Sequence, residues 1–244
     1  MSRRWKGCGG GPSATPVCLV LLLPALAWSH GNDDPLLAKV MVDQLEWRRA
    51  TGGDAGALVW QADAWLGRDR DKLWFKAEGE RVEGVTEEAE LQLRYSRAIA
   101  PFWDAQLGWR ADLGPGPERH WLAAGVRGLA PYWFDTDLAL FADADGRTAL
   151  RLEAEYELLF TQRLILTPGL EVNFHGQDDR ATGSGSGLSD AEFGLRLRYE
   201  IRREFAPYVG LVGWRKFGDS ADFARQEGQR SDDLQWVIGV RAWF

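Results

Sequence analysis

Ionisable residues recur at every second position through long stretches of this chain, and that spacing is where chemistry has to be sought. Between residues 147 and 160, Arg151, Glu153, Glu155 and Glu157 alternate with Leu150, Leu152, Ala154, Tyr156 and Leu158. An extended backbone would gather the charges on one face and the apolar groups on the other. The same alternation collects Glu46, Arg48, Asp63, Lys76, Glu78, Glu90, Arg94, Arg110, Arg127, Asp137, Glu171, Glu192, Arg196, Arg198 and Arg241. A wall of carboxylates attracts cations, with Glu153, Glu155 and Glu171 as its acidic centre. Interleaved with Arg and Lys, the same residues can instead pair and fill the space they enclose. Both readings stay open at this stage.

Soft metal ligands are few. His120 and His175 stand far apart in sequence, in neither an H-x-H nor an H-E-x-x-H spacing, so no motif puts two imidazoles on one ion. His30, close to the expected start of the mature chain and followed by Asp33 and Asp34, could hold a borderline cation such as Cu(II). Met41 is the only methionine after residue 1, which argues against a thioether-rich Cu(I) site. Ser96, Ser189 and Ser231 match no G-x-S-x-G elbow, so no nucleophile is expected and the chain does not read as an enzyme.

These side chains need elements that present one polar and one apolar face. Segments of about ten residues with period 2 follow one another at 40–49, 57–66, 72–80, 86–97, 102–112, 119–128, 132–143, 147–160, 164–175, 190–200, 207–217 and 233–244, each ended by Gly, Pro, Asp or a charge cluster. Along the last, Leu234, Trp236, Ile238, Val240, Ala242 and Phe244 share one face, and Asp233, Gln235, Gly239 and Arg241 the other. No stretch after residue 27 approaches the roughly 20 apolar residues of a membrane-spanning helix. A chain with 27% charged residues and 13 Trp can still cross a bilayer with strands, because each needs only one apolar face.

The expected fold is therefore all-β: an antiparallel transmembrane β-barrel of about twelve strands over residues 37–244, its outer wall against outer-membrane lipid. Connections of alternating length agree, with a flexible Gly/Ser-rich loop expected at 177–189 and a second long connection at 218–232. Ahead of the barrel, Arg3, Arg4 and Lys6, an apolar run over 17–26 and Ala25-Leu26-Ala27 read as a cleaved signal peptide at 1–27, leaving a short polar segment at 28–36. Cys8 and Cys18 would both leave with it, excluding disulfides. The formal charge would move from −7 to −10 on losing those three cations, which argues against nucleic acid as a partner.

Several segments together resemble the copper resistance protein B family. They include His30-Gly31-Asn32-Asp33-Asp34-Pro35-Leu36-Leu37, Val40-Met41-Val42-Asp43-Gln44-Leu45-Glu46-Trp47, Lys72-Leu73-Trp74-Phe75-Lys76-Ala77-Glu78-Gly79-Glu80, Ala206-Pro207-Tyr208-Val209-Gly210 and the ending Gly239-Val240-Arg241-Ala242-Trp243-Phe244. The resemblance implies an outer-membrane protein that binds copper ions or moves them between periplasm and exterior, beside a periplasmic multicopper oxidase. Phe244 would be the signal read by the barrel assembly machinery. Many members carry a Met/His-rich segment before the barrel, and here only about ten residues separate the expected cleavage site from the first strand. The remaining alternatives are a general or substrate-specific diffusion channel and a lipid-modifying enzyme.

Overall fold

The computed structural model describes residues 34–52, 56–114 and 116–244. The expected signal peptide, most of the polar segment after it, and with them His30 and Asp33, lie outside the described residues. The strands are β1 (Leu37–Ala50), β2 (Gly56–Gly67), β3 (Asp71–Val82), β4 (Val85–Ala100), β5 (Trp103–Asp112), β6 (Arg119–Ala130), β7 (Phe134–Asp143), β8 (Thr148–Glu155), β9 (Leu158–Leu159), β10 (Leu164–His175), β11 (Gly187–Tyr199), β12 (Phe205–Lys216) and β13 (Asp232–Trp243).

All are antiparallel, and β13 returns to pair with β1, so the sheet closes. The seam is completed by Val40 and Phe244, whose backbone amides each donate to the other's carbonyl at 3.0 and 2.8 Å. Closure removes the edge strands that a bilayer cannot tolerate. β8 and β9 both pair with β10 and act as one interrupted stave, giving twelve. Opposite the interruption lies Pro168, which accepts from the Tyr156 N–H at 3.0 Å but has no N–H to return.

Alternation sorts the two faces as the sequence leads one to expect. Leu107, Leu122, Trp236 and Ile238 are each more than 60% exposed on the outer wall. An apolar surface that runs around the whole barrel is a lipid-facing one. At the end carrying both chain termini the connections are two to five residues long, whereas at the other they reach fifteen, which identifies the periplasmic and external ends.

Two local features depart from simple period 2. A bulge at Asp43 and Gln44 sets two residues of β1 against one of β13, so that Lys39, Met41 and Asp43 face the lumen below the bulge and Gln44, Glu46 and Arg48 above it. Strict alternation from Leu45 and Trp47 would have turned Met41 to the lipid. The strand expected from residue 132 starts instead at Phe134. Pro131–Trp133 forms a 3-10 turn, with Tyr132 and Trp133 at φ +68° and +69°.

The two long external connections are both folded, which corrects the expectation of a flexible loop at 177–189. A helix, α1 (Gly218–Gln226), occupies one of them. Buried Ser220 takes the Gly185 N–H at 2.6 Å and lies 2.8 Å from the Ser189 hydroxyl, tying the other connection to it. The backbone N–H of Ser186, 2.6 Å from Asp178, and its hydroxyl hold the Asp178 carboxyl below the usual range. Arg180 lies over the Phe223 ring, 5.0 Å from its centroid. Asp179 reaches Arg119 of β6, and Arg147 of the β7–β8 hairpin at 3.6 Å. These contacts draw the 176–186 segment across the external mouth. Asp179→Ala should therefore speed amide hydrogen exchange over 177–186 while shifting overall stability by no more than about 1 kcal/mol, since partly exposed pairs are weak. Unchanged exchange would show that the pairs do not hold the segment.

Candidate functional site

The barrel's lumen is spanned by side chains that reach across it. Arg48 of β1 meets Glu192 of β11 at 2.7 Å, and Arg196 of β11 returns to Glu46 at 2.9 Å. Glu46 also accepts from Tyr208 of β12 at 2.9 Å and from Arg48 at 2.8 Å. On the facing side, Lys76 of β3 and Arg94 of β4 both reach Asp137 of β7, at 3.3 and 3.1 Å. Arg127 of β6 meets Asp63 of β2 at 3.3 Å. Arg151 of β8 bridges Glu78 at 3.3 Å, Glu90 at 2.9 Å and Glu171 at 3.4 Å, and Arg110 joins Glu90 at 2.9 Å.

Seven of these pairs join strands three to five staves apart in a closed sheet of twelve. Glu46, Asp63, Lys76 and Arg94 are at most 3% exposed, so this belt fills the bore at its own level. Buried charges survive there because each has a partner of opposite sign. Aromatic groups complete the filling: Arg94 and Arg110 lie over the Phe141 ring and Arg127 over Trp74, with cation-to-centroid distances of 5.7, 4.7 and 4.6 Å. The inward aromatics Trp74, Phe141 and Tyr208 are invisible to a search for charge, although each occupies an inward position of the same alternation.

On the periplasmic side of the belt the lumen opens into a cavity of about 440 Å³. Asp43, Asp63, Asp135, Asp137, Glu153, Glu155, Glu171 and Glu192 line it against Lys39, Lys76, Arg127, Arg196 and Arg241, an excess of three carboxyl groups over cationic ones. Arg241 pairs with Asp43 at 3.0 Å, and Glu153 lies 3.8 Å from Lys76. Glu155 stands opposite Asp135 across β7 and β8, and neither joins an ion pair among the described residues. A second cavity of about 180 Å³ at the periplasmic mouth shares Lys39, Met41 and Arg241 with the first. The arrangement can attract cations and offer them oxygen donors.

The metal candidates are not brought together. His120 points outward and stacks on Trp109 at 5.5 Å between ring centroids, which removes it from the lumen. Its even number places it with Leu122 and Ala124, so the alternation itself argues for the outer wall. His175 faces inward at the external end of β10, with its Nδ1 buried and unbonded, whereas Met41 lies near the periplasmic end of β1. Asp34 accepts weakly from the Asp69 amide at 3.4 Å and lies 3.7 Å from Arg68 at the surface. Among the described residues, no three His, Cys, Asp or Glu side chains form a group suited to a metal ion.

Comparison with known proteins agrees with this picture. The NanC porin shares the fold at a TM-score of 0.55 with 12% identity, over 84% of this chain and 99% of that one. Copper resistance protein B of Escherichia coli is 46% identical over 213 residues, which is 87% of this chain and 71% of that protein. The copper resistance protein B homolog of Pseudomonas syringae pv. tomato is 44% identical over 87% of this chain and 72% of its own length. The family model described as copper resistance protein B precursor (CopB) matches residues 36–244, the whole barrel including its closing strand. The chain belongs to the copper resistance protein B family.

Proposed function

We propose that the barrel serves copper tolerance by binding copper ions in its acidic lumen and moving them across the outer membrane, with copper as cargo rather than resident cofactor. The observation that carries this reading is the excess of carboxylates over cations in the periplasm-side cavity. A cation entering there exchanges water for carboxylate oxygens in a confined space of reduced dielectric, where attraction is stronger than in bulk water. The copper resistance role of the relatives supplies the identity of the cation.

The belt beyond the cavity favours a binding and passage device over a steady diffusion channel. Fixed ion pairs across the bore leave no continuous water column at that level, so passage requires the pairs to part in turn. In planar bilayers the protein should therefore show little steady conductance without copper. A large conductance indifferent to copper would sink the copper-specific reading in favour of a general channel.

The carboxylates can be tested directly. Replacing Glu153 and Glu155 together by Gln should weaken copper binding about tenfold, equivalent to about 1.4 kcal/mol. The heat-modifiable gel mobility of the folded barrel should be retained, because Glu155 joins no ion pair among the described residues and the partners of Glu153 keep others, Lys76 with Asp137 at 3.3 Å and Arg151 with Glu90 at 2.9 Å. Calorimetry on the purified protein reads the affinity, and growth of a complemented deletion strain on copper reads the tolerance. Wild-type values in both would assign these residues to filling.

A further inference from the structure

The neck between the two lumen cavities is formed in part by Met41, which lines both of them. Its Cα partner on β2 is Asp63, which also lines the inner cavity. Directly opposed side chains on one face of an antiparallel pair have Cβ atoms about 4.5–5.5 Å apart, so a thioether and a carboxylate are held side by side. Asp63 is 3% exposed. One of its oxygens takes Arg127 at 3.3 Å, and the other, Oδ1, is buried with no hydrogen-bond partner. A buried carboxylate oxygen without a donor is costly and needs an explanation. Met41 faces this oxygen's strand only because of the bulge at Asp43 and Gln44, and bulges commonly re-aim a side chain at a functional site.

We infer that Met41 and Asp63 form a transit site for a soft monovalent ion, copper(I), at the neck between the periplasmic mouth and the acidic cavity. The inference deepens the proposed copper reading and rests on it. The Met41 Sδ supplies the soft donor that distinguishes Cu(I) from harder cations. Asp63 Oδ1 supplies an oxygen and compensates the positive charge. Lys39 and Arg241 line the same neck, and Arg127 and Lys76 flank Asp63 in the inner cavity. Their repulsion limits the affinity, which suits an ion that must leave again rather than one that is stored.

Silver(I), which matches Cu(I) in charge and softness and needs no reductant, is the probe. Titrated into the purified full-length protein in chloride-free detergent and read by native mass spectrometry and calorimetry, wild type should hold one ion at this site. Met41→Leu, which keeps the side-chain volume, should weaken that binding at least tenfold with unchanged heat-modifiable mobility. Met41→Cys, which restores a soft donor, should recover it. Undiminished silver affinity in Met41→Leu, or no silver bound by wild type, overturns the site. Copper tolerance of a deletion strain complemented with wild type is the separate measurement of the broader reading: growth restored by wild type while Met41→Leu binds silver normally would reject the site alone. No restoration by wild type would reject the copper reading and the site with it.

Discussion

Replacing Asp137 by Ala should cost the barrel about 3 kcal/mol of stability. Asp137 is the shared acceptor of Lys76 at 3.3 Å and Arg94 at 3.1 Å, and all three side chains are buried. Breaking a buried pair leaves an uncompensated charge, typically at about 3–5 kcal/mol. The lower end applies because Lys76 keeps Glu153 at 3.8 Å and Glu78 at 4.0 Å. Arg94 has no such reserve. Its Nε and Nη2 are already unbonded, and without Asp137 only the Gln106 contact at 3.0 Å would remain among its hydrogen bonds. Asp137→Asn preserves shape and should lose nearly as much, which separates lost charge from a cavity. Glu155→Gln, at a residue without an ion pair, should change stability by under about 0.5 kcal/mol. Urea unfolding in detergent, followed by tryptophan fluorescence, measures all three. A loss below about 1 kcal/mol for Asp137→Ala would mean that water reaches the belt and that the bore is open there.

The pairs in that belt could not be read from the sequence, although their members could. Alternation put Lys76, Arg94 and Asp137 on the inner face because each strand's phase is set locally by its own apolar neighbours. Which of them meet depends on closure and stagger of the whole sheet, and residues three or four staves apart leave no trace in local spacing. The same limit explains Met41: a bulge of one residue reverses the phase of everything before it, and the bulge is visible only in the pairing of β1 with β13 and β2. Asp43 was hidden for that reason. The folded external mouth was hidden for another, since a Gly/Ser-rich composition describes the backbone's freedom and not the buried Ser220 contact that restrains it. His120 is the opposite case. Its outward phase was legible, and an imidazole's capacity to bind metal is no argument against it. The inner face of each strand reports the site, while the contacts that make it a site belong to the tertiary structure.

Which solvent the outer wall meets can be decided by the sign of one substitution. Leu107 is 62% exposed near the middle of β5, opposite Ala124 of β6, which in turn opposes Leu140 of β7. In water, exchanging so exposed a leucine for arginine would be neutral or mildly favourable. In a bilayer, Leu107→Arg should cost about 2–4 kcal/mol, because a guanidinium at mid-depth must be dragged toward the interface or hydrated by a defect in the lipid. Depth supplies the control. Ile99, 63% exposed at the periplasmic end of β4, sits where the side chain can reach the headgroups, so Ile99→Arg should cost about 1 kcal/mol or less. Reversible unfolding of both variants refolded into lipid vesicles gives the two values. The contrast between them is the decisive quantity, because general damage to the barrel would lower both alike. Equal costs at the two depths would mean that the apolar wall does not track a bilayer. A large cost at Leu107 alone places the hydrocarbon core against the middle of β5. It also leaves the lumen, with its buried belt and acidic cavity, as the one route by which a cation could pass.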